Sequence, residues 1–176
     1  MRLNKIILSF VSALVILFST SVASFAKVVG DKIILGAAIS LTGKYSSNGV
    51  HTQNGYNMAV DRINSMGGVK VGGKTYKFDI IYYDDESNPK RAAQLAERLI
   101  SQDGVEFMLG PYSSGLTKAI APVTEKYGVP MVEANGASRS LFTKGYKYLF
   151  AVLAPANLYL DVCLLYTSPS PRDSGQ

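Results

Sequence analysis

The chain has one cysteine and one histidine among its 176 residues, and each scarcity closes off some chemistry. A single thiol cannot form an intrachain disulfide, and Cys163 falls in a terminal stretch set apart below. One histidine supplies neither the spaced ligands of a zinc site nor a Ser-His-Asp arrangement, so His51 is expected as a surface or loop-packed side chain. Basic residues form no run and no nucleic-acid motif occurs, which removes nucleic acid from the expected partners. The longest apolar stretch, Ile6 to Phe18, is broken by Ser9 and Ser12 and falls short of the roughly 20 residues a spanning helix needs.

That stretch instead has the layout of an export leader. Arg2 and Lys5 precede it, and Ser24-Phe25-Ala26 offers small residues for cleavage near Ala26. No cysteine follows that point to accept a lipid anchor, so residues 1–26 are expected to leave a soluble mature product starting near Lys27. The other end changes style at Cys163: the string Cys-Leu-Leu-Tyr-Thr-Ser-Pro-Ser-Pro-Arg-Asp resembles the translation of a sequencing-library transposase adapter. Residues 163–176 are therefore set aside as non-native. Between them, residues 27–162 amount to a single domain's worth of chain. The net charge of +5 falls to +3 once Arg2 and Lys5 are removed, because Arg172 and Asp173 cancel. The remaining charges are scattered over what reads as an ordinary solvated surface.

Within 27–162, short apolar runs alternate with amphipathic ones. Lys32 to Ala38 reads as a strand buried on both faces, followed by a Gly/Ser-rich loop from Ser40 to Gly49. Tyr56, Ala59, Ile63 and Met66 form the apolar face of a first helix, stopped by Gly67-Gly68. Tyr76 to Tyr83 is a second strand. Asn88 then caps a helix from Pro89 to Gln102, whose buried stripe is Ala92, Leu95, Ala96 and Leu99. A third strand (Phe107–Leu109), a third helix (Leu116–Tyr127) and a fourth strand (Pro130–Glu133) follow, with a fifth at Tyr148–Val152. Alternation of this kind predicts right-handed crossovers and a doubly wound α/β lobe around a parallel sheet.

Three motifs invite a chemical reading. Residues Gly68 to Thr75 match the phosphate-loop string G-x4-G-K-[ST], but here a helix precedes the string and a strand follows it. A phosphate cradle needs the reverse order, so Gly72-Gly73 reads as a tight turn between short extended segments. Asp84, Asp85 and Glu86 lie beyond a strand's carboxyl end, where three carboxylates suit Mg²⁺; without a third partner segment they read as a solvated acidic turn favouring the next helix N-terminus. No metal or cofactor is expected. Two loops remain, Gly110-Pro-Tyr-Ser-Ser-Gly115 and Ala134-Asn-Gly-Ala-Ser138. Both sit outside the strand carboxyl ends, where α/β sheets bind ligands, and their hydroxyls and free N–H groups suit a carboxylate. Their Ser and Asn residues serve equally well as plain helix caps.

At these residues the chain resembles a known family, the branched-chain amino-acid-type periplasmic binding proteins of ABC importers. The resemblance runs through Ile39-Ser-Leu-Thr-Gly43, Asn57 to Asn64 with Gly67-Gly68, Tyr83-Asp-Asp85 with Asn88-Pro89, Leu109 to Ser114, Gly128 to Met131 and Lys144-Gly-Tyr146. It implies the first lobe of a two-lobed receptor that closes on one small solute by a hinge and passes it to a membrane permease. It also implies a monomer, located in the periplasm and without catalysis. Ser114 matches the serine that bonds a ligand carboxylate in this family, with Ser113 and Tyr112 beside it. Asn135 and Ala137 match positions giving a backbone carbonyl and a backbone N–H. Ala137 has no hydroxyl, so either Ser138 supplies that group or the contact is absent. Tyr45 and Asn48 fall where the family has a pocket wall. The resemblance favours an amino-acid-like solute. Two other functions fit the same residues less closely, a ligand-sensing domain of a signalling receptor and a metal-dependent α/β enzyme using the acidic turn.

Overall fold

A computed structural model describes residues 28–159. The expected leader (1–26), its cleavage point, the last residues of the expected lobe and the tail from Cys163 lie outside the described residues.

The order of elements is strand β1 (Val28–Val29), β2 (Lys32–Ile39), helix α1 (Ser46–Ser65), β3 (Val69–Val71), β4 (Lys74–Asp84) and α2 (Pro89–Ser101). Then come β5 (Met108–Leu109), α3 (Ser114–Tyr127), β6 (Met131–Glu133), a 3-10 turn at Arg139–Leu141, β7 (Leu149–Ala151) and a second 3-10 turn at Ala156–Leu158. They build one seven-stranded sheet in the order β3-β4-β2-β5-β6-β7, with β1 paired to β2. Strands β4, β2, β5, β6 and β7 run parallel. Two short antiparallel additions, β1 on β2 and β3 on β4, complete the sheet. The predicted doubly wound α/β lobe is the fold observed.

Chain direction across the sheet reverses once. The step from β2 to β4 goes one way, and the step from β4 to β5 crosses back over β2. With right-handed crossovers that reversal puts α1 on one face and α2 with α3 on the other. Their shared core is Ile34 and Ala38 of β2, Ala92, Ala96 and Leu99 of α2, Leu116 and Ile120 of α3, and Met108 and Met131 of β5 and β6. Gly36 lets this layer close: a Cβ there would come within 2.9 Å of both Met108 and Val105.

Two expectations at α1 need correction. The helix begins at Ser46, inside the stretch read as loop, and its inward side is not Tyr56-Ala59-Ile63-Met66. Gly49 and Thr52 are buried, Tyr56, Val60 and Ile63 are partly covered, while Ala59 is exposed and Met66 is 68% exposed. The reason is Gly49. It packs on the Ser40 carbonyl so closely that any Cβ would overlap it, and this contact sets the helix rotation. The phosphate-loop look-alike is the β3–β4 hairpin, with Gly72 and Gly73 at φ +57° and +80° joining Val71 to its partner Lys74. Lys74 starts a strand, so no helix N-terminus faces the loop.

The face opposite α2 and α3 is only half covered, because α1 packs on β2 and β4. Beyond it the outward residues of β6 and β7, Val132 and Phe150, are 40% and 52% exposed, while their neighbours Met131 and Leu149 are buried. A cavity of about 350 Å³ with an almost wholly apolar lining runs over Leu35, Phe78, Phe107, Leu109 and Val132. An uncovered surface of this kind favours association. A segment cut to residues 27–162 is therefore expected to aggregate or to melt below about 50 °C. Calorimetry with sedimentation analysis checks this, and a monomer with a two-state melt above that temperature shows that the bare face is tolerated.

Candidate functional site

All the loops that leave β2, β4, β5 and β6 at their carboxyl ends gather on one edge of the sheet. This edge is held together by carboxylates that point inward. Asp84, the last residue of β4, accepts through Oδ1 the N–H groups of Leu41 (2.9 Å), Thr42 (3.2 Å) and Glu86 (2.9 Å), and through Oδ2 the Thr42 hydroxyl (2.7 Å). Asp85, with no exposed surface, accepts the Ser40 hydroxyl at 2.6 Å and the Ser87 N–H at 2.8 Å. Ser87 in turn donates its hydroxyl to the Thr42 carbonyl and accepts the Tyr45 N–H.

The acidic turn is thus a clasp between the β2–α1 loop and the β4–α2 turn, which corrects its reading as a solvated turn. Of the three only Glu86 is exposed, where it pairs with Arg91 at 3.3 Å, and the next helix is capped by the Asn88 side chain, which accepts from Lys90 and Arg91. Burial pushes the Asp85 carboxyl up, against the Ser40 and Ser87 hydrogen bonds that favour its ionised form. Burial also pulls on Asp84, but the Thr42 hydroxyl and three backbone N–H groups outweigh it and leave that carboxyl below its ordinary value. Among the described residues no group of three His, Cys, Asp or Glu side chains is arranged to hold a metal ion.

Beside the clasp lies an open cleft of about 530 Å³, bounded by the first half of α1 and by the loops after β5 and β6. Asn48, His51, Thr52 and Tyr56 supply the helical wall, with Tyr112 and Asn135 opposite. The Tyr56 hydroxyl donates to the Gly110 carbonyl at 2.6 Å, joining α1 to the β5 loop, and burial raises its pKa strongly. Asn135 Nδ2 donates to the Thr52 hydroxyl at 3.3 Å, joining α1 to the β6 loop.

Of the residues the sequence singled out, Asn48, Tyr112 and Asn135 line this cleft. Tyr45 supports Tyr112 from behind, edge to face with ring centroids 5.7 Å apart. Ser113 is the N-cap of α3, at φ +83°, and its hydroxyl accepts the Leu116 N–H. The Ser114 hydroxyl accepts the Ser138 N–H at 3.1 Å, so it ties one loop to the other. The Ser138 hydroxyl lies 2.9 Å from that of Ser140, and the Ala137 carbonyl accepts the Ala156 N–H. Ser113, Ser114, Ala137, Ser138 and Tyr45 are not among the cleft-lining residues.

His51, Thr52 and Tyr56 were not read as site residues, although their spacing from Asn48 marks one helical face once the helix is known to begin at Ser46. Glu133 was read only as a strand end. It is fully buried, and its carboxyl accepts the N–H groups of Asn135 and Gly136 at 2.5 and 2.6 Å. Burial pushes its pKa up, against those bonds and a contact with the Thr117 hydroxyl.

A family model described as periplasmic binding protein matches residues 32–162. The Leu/Ile/Val-binding protein BraC3 of Rhizobium johnstonii is 33% identical over 159 residues, which cover 89% of this chain and 42% of that protein. The branched-chain amino acid transporter substrate binding protein LivJ of Streptococcus pneumoniae, solved with isoleucine, superposes with a TM-score of 0.64 at 31% identity, over 70% of this chain and 34% of its own. A solute binding protein from R. palustris, solved with 4-hydroxybenzoate, gives 0.58 at 31% identity, over 71% and 32%. The chain therefore spans about a third to two fifths of the length of these relatives.

The clasp and the buried carboxyls give two expected outcomes. Asp85→Ala strands the Ser40 hydroxyl and the Ser87 N–H in a buried setting and should cost about 1–3 kcal/mol, read by denaturant unfolding of the full-length gene product. Because Glu133 is raised in the folded state, that state holds its proton more tightly than the unfolded chain. Its contribution to stability is thus greatest at low pH and declines as pH rises from the ordinary carboxylate value through the raised one. Glu133→Gln should flatten this part of the stability–pH curve.

Proposed function

Because the chain belongs to the periplasmic binding protein family, we propose that it forms the first lobe of an exported solute receptor for an ABC importer. In this reading a small amino-acid-like solute sits in the cleft between α1 and the loops after β5 and β6. A second lobe closes over it by a hinge, and a membrane permease recognises the closed, monomeric receptor in the periplasm. The receptor performs no chemistry on its solute.

The observation that carries the proposal is the open cleft at the carboxyl edge of the parallel sheet, beside the reversal of strand order between β2 and β5. α/β sheets collect ligands at such a place. Its wall is built for hydrogen bonding. Asn48, His51, Thr52, Tyr56, Tyr112 and Asn135 all carry polar atoms, and a hinge-closing partner suits a cleft open on one side. The named ligands of the relatives, isoleucine in one structure and 4-hydroxybenzoate in another, share a carboxylate. Ser114 stands outside the cleft lining at the start of α3, where N–H groups favour an anion, and its hydroxyl, which accepts the Ser138 N–H, keeps its hydrogen to donate to a carboxylate.

The full-length gene product, titrated with the twenty amino acids and 4-hydroxybenzoate by calorimetry, should bind one of them saturably. Binding of none removes the proposal. With the bound solute as probe, Ser114→Ala should weaken affinity by about 1–3 kcal/mol, the range for a hydrogen bond to a charged group. An unchanged affinity takes Ser114 out of the site.

A further inference from the structure

Glu133 sits in a chain of hydrogen bonds whose direction depends on whether its carboxyl carries a proton. Its Oε1 accepts two N–H groups, from Asn135 and Gly136, as either a carboxylate or a neutral carbonyl oxygen can. Its Oε2 lies 2.6 Å from Thr117 Oγ1, and the same Oγ1 lies 2.9 Å from the Ser113 carbonyl. A threonine hydroxyl has one hydrogen to donate, and a carbonyl oxygen can only accept. With Glu133 ionised, its Oε2 and the Ser113 carbonyl, which also accepts the Thr117 N–H at 3.1 Å, share the one Thr117 hydroxyl hydrogen. With a proton on Oε2, both contacts are made in sequence, Glu133 donating to Thr117 and Thr117 donating to Ser113. The Ser113 carbonyl keeps the Thr117 N–H in either state, and the added proton completes its contact with the Thr117 hydroxyl.

The surroundings favour the same state. Glu133 has no exposed surface, and no cation pairs with it in any hydrogen bond or ion pair among the described residues. A Cβ on Gly110 would overlap Glu133 Oε2, and one on Gly136 would come within 3.1 Å of its Cδ, so glycine backbone encloses the carboxyl on both sides. Tyr56 of α1 donates its hydroxyl to the Gly110 carbonyl, and its pKa is raised by burial first and by the Glu133 carboxyl second, so it adds no positive charge beside Glu133. Thr117 and Asn135, which bond to the carboxyl, carry no charge, and Leu141 lies beside Gly136. Burial acts on Glu133 itself in the direction of the neutral acid.

The chain of bonds joins the two loops of the cleft. At one end are Asn135, which lines it, and Gly136; at the other is Ser113, whose φ of +83° is uncommon for a residue with a side chain. We propose that Glu133 is a positioning residue that stays protonated near neutral pH and, through Thr117, holds loops 110–114 and 134–138 in the geometry that binds solute. The effect on binding rests on the solute-receptor reading; the proton itself does not.

The test uses the full-length protein, with infrared difference spectra and amide resonances taken without solute, and L-isoleucine and 4-hydroxybenzoate as binding probes. The expected spectrum near neutral pH contains the carbonyl stretch of a buried protonated carboxyl, absent from E133Q. Its absence from the wild type overturns the proposal. T117V should move the amide resonances of Asn135, Gly136 and Ser113 together, and if Ser113 alone moves the loops are not coupled. E133A, compared where circular dichroism shows it folded, should bind the recognised probe about tenfold or more weakly, the cost of stranding buried donors, and E133Q should restore most of that loss. A folded E133A with wild-type affinity, or an E133Q as weak as E133A, overturns the positioning role. If neither probe binds the wild type, the choice of solute in the receptor reading fails, and the infrared band and the coupled resonances still decide whether Glu133 carries the proton and joins the loops.

Discussion

The site edge of this lobe depends on side-chain carboxyls doing what backbone carbonyls do inside the sheet. A parallel sheet ends in loops whose N–H groups have lost their strand partners, and each such group costs free energy if left buried and unpaired. Here the last residue of β4 and the one after it collect the N–H groups and hydroxyls of residues 40–42 and 86–87. The last residue of β6 collects those of 135 and 136. The cleft wall stands on these caps: α1 starts from the loop that Asp84 and Asp85 hold, and Asn135 is presented by the loop that Glu133 holds.

Much of the architecture was legible from the sequence. Apolar runs such as Lys32 to Ala38 fit a strand covered on both faces, and Asn88-Pro89 marks a helix start by two independent signals. The order of strand and helix then left little choice of topology. The errors have a common cause. Helix α1 has a polar first half, Ser46 to Gly55, and an apolar count finds no helix there; yet that half is helical because its exposed side faces the cleft, where polar groups belong. A glycine in the first turn argued for loop by propensity, whereas Gly49 is needed for the close approach to Ser40.

The site residues divide along the same line. Motif spacing led to the loops after β5 and β6, and Tyr112 and Asn135 do face the cleft, but spacing says nothing of which way a hydroxyl turns. The hydroxyls of Ser113 and Ser114 accept the N–H groups of Leu116 and Ser138. Glu133 carried no signal at all. A lone carboxylate at the end of an apolar strand reads as the first solvated residue, and only the folded packing of Thr117, Gly110 and Gly136 around it reveals a buried acid.

The contact between Gly49 and the Ser40 carbonyl also fixes what can move. Ser40 is clamped by Asp85, and Gly49 rests on Ser40 with no side chain between, so the first turns of α1 are seated directly on the sheet edge. Asn48, His51 and Thr52 follow from those turns. That wall is an anvil in the mechanical sense: the contact that seats the helix on the sheet edge also fixes the side chains that line the cleft.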